Sequence, residues 1–313
     1  MDVDHFSSIN KYHRRVLVGL VSLSFVLLAG LYFLIPRASL APETTKLLQD
    51  FVIKLFSAIL GASFAAAAFV WFVPEKYKVP VVRVVYPHEI KKTLRDSLNG
   101  VTEFQFFGQT GGWTRAVTLP GLAEMANSQG LQVSVTITII DPRDSALCKQ
   151  YAQYRSSTKI RPPGPLLSGT FDWKEHSTKL ELLSTIIAAY RWAYQEPRLQ
   201  IHIALSHQFS VFRVDLTDKA AIVTQEDPRL PALVFDRESC HYASIRMDVQ
   251  QKFAQSFKLP SVAGLDSSCF EDLDAKKAED VLRALALNEA SFTPADYEHI
   301  ANTVKKPRNP YEV

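Results

Sequence analysis

Leu131-Gln-Val-Ser-Val-Thr-Ile-Thr-Ile-Ile140 alternates apolar and polar side chains along most of its length. Successive side chains of a strand point to opposite faces, so Val133, Val135, Ile137 and Ile139 share one face and read as a half-buried strand. Asp141-Pro142 closes it. Working upstream, Thr114 to Ser128 has helical spacing, with a break expected at Pro120-Gly121 and an end at Gly130. Phe104-Gln-Phe-Phe107 is a strand that stops at Gly108. Val81 to Tyr86 is a shorter β-branched strand, and His88 to Leu98 is a helix closed by Asn99-Gly100. Downstream, Ser145 to Ser156 is a helix, and Arg161-Pro-Pro-Gly-Pro165 is a rigid loop. Asp172 to Gln195 is a long amphipathic helix with Leu180, Leu183, Ile187 and Tyr190 on one stripe. Strands follow at Leu199–Leu205, Phe209–Leu216, Ala220–Thr224 and Ala232–Phe235. Helices then cover Tyr242–Phe257, Leu273–Leu287 and Pro294–Val304. This order predicts an α/β domain, a mixed sheet with helices on both faces, and a helical C-terminal extension.

The residues before this domain have a different composition. The chain has 313 residues, of which the first 73 hold two long uncharged runs, Val16–Ile35 and Leu55–Val73. Each is long enough, at about 1.5 Å per residue, to cross the ~30 Å hydrocarbon core of a bilayer. A signal peptide would have a shorter apolar stretch and a small-residue cleavage site, which Leu34-Ile35-Pro36-Arg37 lacks. Ser57, Gly61 and Ala65 recur every fourth residue in the second run and make a smooth helix face for transmembrane packing, against the first span or against another protomer. Lys11, Arg14 and Arg15 precede the first run, and Lys76, Lys78, Arg83, Lys91 and Lys92 follow the second. Positive residues stay cytoplasmic, so both termini are expected on the cytoplasmic side of the membrane. The expected division is an N-terminal segment 1–15, a span 16–35, a periplasmic loop 36–54, a span 55–73, an α/β sensor domain 74–260 and a helical region 261–313.

Charge and cysteine content exclude several classes. Thirty-five Lys+Arg against 32 Asp+Glu is too balanced for a dedicated nucleic-acid binder. Cys148, Cys240 and Cys269 are too few and too scattered for a disulfide framework or a zinc site. No metal and no cofactor are expected.

Two constellations in the α/β region have chemical potential. Gly108-Gln-Thr-Gly-Gly-Trp-Thr-Arg115 lies between a strand and a helix. Gly108, Gly111 and Gly112, with Thr110 among them, make a loop whose glycines allow close backbone approach to a ligand, helix-start N–H groups favour an anion, and Arg115 adds donors. The same residues also make a tight turn with Trp113 packed beneath, and both readings stay open here. Asp141 and Arg143 end the clearest strand, where open α/β sheets bind ligands. The second constellation is Val211-Phe-Arg213-Val-Asp-Leu-Thr-Asp218, on a strand.

This second stretch resembles the phospholipase D superfamily, whose active motif reads His-x-Lys-x-x-x-x-Asp. Val211 stands at the histidine position, Arg213 at the lysine position and Asp218 at the aspartate position. Val223-Thr224 replaces the Gly-Ser pair of the next strand. The resemblance covers residues 100 to 257 and implies a degenerate phospholipase D-like fold. The family uses its histidine as nucleophile toward phosphorus, and valine has no lone pair to offer. His202 and His207 lack the required spacing. The expectation is therefore binding rather than catalysis, with Arg213 and Asp218 either an ion pair or remnants of a phosphate site.

Two spans joined by a short loop, followed by an α/β module without an intact active site, are similar to the two-transmembrane effectors of bacterial anti-phage systems. That resemblance implies an abortive-infection toxin. Its cytoplasmic module is restrained by a regulatory protein or a protein–nucleic acid complex, such as a retron reverse transcriptase with its RNA-linked DNA. Its spans disrupt the membrane on release. Homo-oligomerisation, a direct nucleotide ligand, gating by a cyclic oligonucleotide and a membrane-anchored phosphodiesterase are the competing expectations.

Overall fold

The computed structural model describes residues 23, 26–37, 41–72, 82–158, 173–227 and 229–308. The chain divides into two compact units, residues 1–81 and 82–313, and each is described by itself.

In the first unit, residues 26–34 are helical and Ile35–Arg37 is a 3-10 turn. The remainder of the expected first span lies outside the described residues. Helix α1 spans Pro42–Phe72. It therefore begins inside the expected 36–54 loop. Pro42 occupies the first turn, where a missing N–H costs nothing, and Glu43 complements the positive helix end. Leu47, Leu48, Phe51, Val52 and Leu55 have helical periodicity, which the polar residues between them mask. Thirty-one residues make α1 about 46 Å long at ~1.5 Å per residue, so it exceeds a ~30 Å hydrocarbon core. Within it, Pro42–Ala65 is long and apolar enough to cross a membrane. Most large apolar side chains of that stretch are uncovered, Phe51 being 63% and Phe64 77% exposed, while Val52 is buried.

The second unit is built on a sheet of eight strands. These are β1 (Val82–Val85), β2 (Glu103–Phe107), β3 (Val133–Ile140), β4 (Leu199–Ser206), β5 (Phe212–Thr217), β6 (Ala220–Gln225), β7 (Ala232–Asp236) and β8 (Phe257–Lys258). Their order is β1-β7-β6-β5-β2-β3-β4-β8. Strands β2, β3 and β4 are parallel, and every other pair is antiparallel. Parallel neighbours need long crossovers. Helix α3 (Leu119–Gln129) crosses from β2 to β3, and α4 (Ser145–Ser157) with α5 (Glu175–Gln195) crosses from β3 to β4. The hairpins β5–β6 and β6–β7 explain the quick succession of strands in the sequence.

Val133, Val135, Ile137 and Ile139 are fully buried in one cluster with Leu119 and Leu122 of α3, Tyr151 of α4 and Leu182, Leu183 and Ile186 of α5. Helix α2 (Pro87–Asp96) adds Ile90 and Leu94 against Ile222 and Val234. Helix α6 (Cys240–Gln255) covers the other face, with Tyr242 and Val249 against Phe107, Val214 and Leu216. Helices thus lie on both faces of the mixed sheet. Helices α7 (Ala275–Ala284) and α8 (Pro294–Lys305) belong to the same large cluster through Val281, Leu282 and Ile300, so residues 261–308 share the core of the α/β domain.

The helix before β3 does not break at Pro120-Gly121. Thr114–Thr118 forms a π turn and α3 starts at Leu119. Pro120 then sits in the first turn of α3, where its lack of an N–H is tolerated. Gly130 ends α3 at φ 65°, as the sequence predicts.

Ile137 has no exposed surface and lies at the centre of the largest cluster. Ile137→Ala should cost about 2–5 kcal/mol, while Lys92→Ala on the solvent side of α2 should change stability by less than about 0.5 kcal/mol. Thermal or urea unfolding of the detergent-solubilised chain measures both.

Candidate functional site

The parallel strands β2 and β3 end on the same side of the sheet, and β5 starts there because it runs antiparallel to β2. This places the loop after β2, the residues after β3 and the first residues of β5 together. The Gly108 N–H donates to the Thr138 carbonyl (3.1 Å), and the Ile140 N–H donates to the Gln109 carbonyl (3.2 Å). The Gln109 amide donates to the Ser210 carbonyl and ties the loop to the start of β5. Of the residues expected at a site, Gly108, Thr110, Gly111, Gly112, Arg115, Asp141, Arg143 and Arg213 are brought to this end. Asp218 is not.

The loop is packed shut around its glycines. A Cβ at Gly108 would lie 2.7 Å from Cζ of Phe106. Gly111 has φ +70°, and a Cβ there would lie 2.9 Å from Cγ2 of Thr185. Both glycines therefore serve close approach of protein to protein, which is the tight-turn reading, with Trp113 buried below.

Arg115 points into the protein. It is 4% exposed, and its guanidinium donates to the Glu181 carboxylate (2.7 Å), the Glu181 carbonyl (3.1 Å) and the Thr185 hydroxyl (3.1 Å). The Thr185 hydroxyl in turn donates to the Thr110 carbonyl at 2.7 Å. Asp141 is buried and receives a two-pronged contact from Arg143, at 2.9 and 2.7 Å, together with the Arg143 N–H. Arg143 also lies 4.2 Å from the Phe257 ring centroid. The hydrogen bond to Asp141 raises the Arg143 pKa above its ordinary value. These groups form a closed clamp after β3.

The ion pair expected between Arg213 and Asp218 is a different pair. Arg213 binds Asp215 at 2.6 Å, and both are buried. Positions two apart on a strand share a face, so the partner was available from the period alone. Asp218 lies five residues along the chain, about 16 Å away at ~3.3 Å per residue. There its carboxylate accepts from the Thr102 hydroxyl (3.0 Å), at the other end of β2. Val211 is 37% exposed at the lip of β5. His202 and His207 are exposed.

A fourth pair completes the arrangement. Arg155 of α4 binds the Glu226 carboxylate and also donates to the Glu226 carbonyl (3.0 Å). Tyr151 is fully buried and donates to the Glu226 carboxylate at 3.3 Å. Burial, then the nearby Glu226 charge, pushes its phenol well above the usual range. Sequence reasoning missed Glu181, Thr185, Tyr151, Arg155 and Glu226. For Glu181 and Thr185 the signal was an i, i+4 polar pair inside an apolar helix. For Arg155 and Glu226 only tertiary structure could join residues so far apart in the chain.

The arrangement holds arginines, each already neutralised by a carboxylate of its own chain. A phosphate would have to displace that carboxylate to bind. Among the described residues no group of three or more His, Cys, Asp or Glu side chains could hold a metal ion.

No family model matches the chain, and no curated protein resembles it in sequence. Among solved structures, the archaeal chromatin protein TrmBL2 is similar at a TM-score of 0.31 and 11% identity, over 69% of this chain and 70% of that one. Phosphatidylserine synthase from Haemophilus influenzae Rd KW20 is similar at a TM-score of 0.38 and 12% identity, over 66% of this chain and 49% of that one. At TM-scores below 0.5 neither likeness carries the neighbour's chemistry to this chain.

Removing one partner of a buried pair leaves an uncompensated charge. Arg213→Met should cost about 3–5 kcal/mol, and Arg213→Met with Asp215→Leu should recover much of it, as a double-mutant cycle by urea unfolding will show. Cys148 is buried, and burial pushes its thiol up to about 12. Because the thiolate is the reactive form, maleimide at pH 8 should label exposed Cys240 in the native chain and Cys148 only after denaturation, as read by mass spectrometry.

Proposed function

We propose that this chain is a membrane effector whose α/β module senses and whose apolar helices act, with no catalysis by the module itself. The observation that carries the reading is the closed state of the candidate site. Arg115, Arg155 and Arg213 are each held by Glu181, Glu226 and Asp215, and Val211 stands where the resemblance requires a nucleophile. The histidine that attacks phosphorus in that family has no counterpart at Val211, and valine offers no lone pair. Support for the membrane part comes from the Pro42–Ala65 stretch of α1, where Leu47, Phe51, Leu60 and Phe64 are left exposed. A soluble core helix would bury them.

In this reading the protein sits in a bacterial inner membrane, with spans at 16–35 and 55–73 and both termini in the cytoplasm. The setting is that of the two-transmembrane anti-phage effectors. The α/β module is held by a regulatory protein or protein–nucleic acid complex, such as a reverse transcriptase with RNA-linked DNA, and infection removes that hold. The restraint is a population shift: moving an equilibrium from 1:99 to 99:1 takes about 10⁴-fold preferential binding, roughly 5.5 kcal/mol. A protein interface of ordinary size supplies that. On release, the small-residue face of α1 at Ser57, Gly61 and Ala65 associates and perturbs the bilayer. These residues are exposed, and the Ser57 hydroxyl is spent on the Ile53 carbonyl (2.9 Å), which leaves a smooth surface.

Induction of the full chain in a bacterium should collapse the membrane potential and survival, while residues 82–313 alone should do neither. Gly61→Leu with Ala65→Leu should insert normally and lose toxicity. Potential-sensitive dye and colony counts measure both. A phosphodiesterase activity of the purified chain that disappears in Arg213→Ala would replace this reading with the enzymatic one.

A further inference from the structure

Most arginines of the α/β unit are neutralised within the chain. Arg115, Arg143, Arg155, Arg198, Arg213, Arg229, Arg246 and Arg283 are each held by an Asp or Glu. Among the described residues Arg83, Arg95, Arg237 and Arg308, with Arg191 of α5, have no carboxylate partner. The first four gather at one end of the sheet.

That end is fixed by the strand directions. Strand β1 is antiparallel to β7, β7 to β6, β6 to β5 and β5 to β2, so β1 and β2 run the same way. Strand β1 therefore starts at the end opposite the glycine loop, and Arg83 is its second residue. Helix α2 returns to that end and carries Arg95 in its last turn. The Lys219 ammonium, between β5 and β6, donates to the Asn99 carbonyl just past α2. The Arg237 N–H donates to the Lys219 carbonyl at 2.9 Å. Pro307 lines a groove with Arg95 and Asn99, which brings Lys306 and Arg308 alongside. Arg95, Lys219, Arg237, Lys306 and Arg308 are all exposed and form one basic strip. Asp96, Glu124, Asp236 and Glu238 punctuate it without outnumbering it.

A strip of this sign takes an anionic partner. The interspersed carboxylates disfavour nucleic acid, whose backbone needs a more uniform basic face. Chain order favours lipid. Val82 opens β1 ten positions after Phe72 closes α1, at most about 36 Å of extended chain. Lys76 and Lys78 in the sequence between them carry the same sign. Basic residues just beyond a membrane-compatible helix are attracted by anionic headgroups. We infer that this end of the α/β unit docks on the anionic phospholipid headgroups of the bilayer, through Arg95, Lys219, Arg237, Lys306 and Arg308. The inference rests on the membrane reading of α1 and adds to it a lipid-facing end of the module.

The test uses the full chain in lipid nanodiscs, in a Cys240→Ser, Cys269→Ser background. Asn99→Cys marks the basic end, and His207→Cys, just past β4, marks the glycine-loop end. Each is labelled with bimane, and a lipid with a spin-labelled headgroup serves as quencher. In discs containing phosphatidylglycerol the Asn99 probe should be quenched several-fold more than the His207 probe. In phosphatidylcholine alone the difference should vanish, as it should at about 1 M salt, where the screening length is ~3 Å. Arg95→Gln, Arg237→Gln and Arg308→Gln should each lower the docked-to-undocked ratio about fivefold, the factor for one basic side chain near an anionic surface. Probes quenched alike, or an Asn99 probe quenched equally in both discs, overturn the inference while leaving the membrane reading in place. An Asn99 probe that responds to a single-stranded oligonucleotide and not to phosphatidylglycerol assigns the strip to nucleic acid and overturns the lipid contact. A chain that does not enter the discs overturns the membrane reading and this inference together.

Discussion

Helix α5 is buried almost without interruption from Thr178 to Tyr190, and this constraint organises the α/β unit. A helix enclosed by protein cannot send its polar side chains to water, so each needs a partner inside. The Ser184 hydroxyl turns back to the Leu180 carbonyl, at 2.7 Å. Thr185 reaches the Thr110 carbonyl and fixes the glycine loop after β2. Lys179 draws in Ser145 of α4 and Glu289 before α8, at 2.8 Å each. Through these contacts one helix binds the loop, the crossover and the C-terminal helices to a common core.

The same constraint decides the electrostatics of the candidate site. Arg115 faces α5, and the Glu181 carboxylate awaits it there. The Arg213–Asp215 pair sits under the same loop, with Arg213 stacked 5.4 Å from the Phe106 ring centroid. Charges enclosed at this depth persist only when paired. What the sequence offers as a possible anion cradle is, in three dimensions, a set of internally satisfied ion pairs. These pairs tie the loop after β2, the residues after β3 and the start of β5 to helices α4 and α5.

The sheet also has an uneven covering. Three crossover helices enclose the parallel strands on one face, whereas among the described residues α6 lies across the other. The antiparallel strands toward β1 are left with exposed valine and leucine side chains. Hairpin connections bring no helix with them, so an antiparallel extension of a parallel sheet keeps a bare face unless something else covers it.

The sequence by itself determined the elements. The period-2 pattern of Val133–Ile139 placed β3, Gly130 stopped α3, and the order of strands and helices implied a mixed sheet with helices on both faces. Those signals are local: side-chain alternation and backbone preference act within a few residues. The apolar run from Leu55 likewise declared a membrane-compatible helix, although the polar residues of 42–54 hid its start at Pro42. Tertiary structure alone decided which charges meet. Arg155 and Glu226 are brought together by the crossover of α4 over the sheet, and Arg115 and Glu181 by the packing of α5. Sequence motif spacing pointed Arg213 to Asp218, but the extended strand β5 holds those residues at its opposite ends and gives Arg213 to Asp215 instead. Ion pairing depends on distance through space, and only the folded sheet sets that distance.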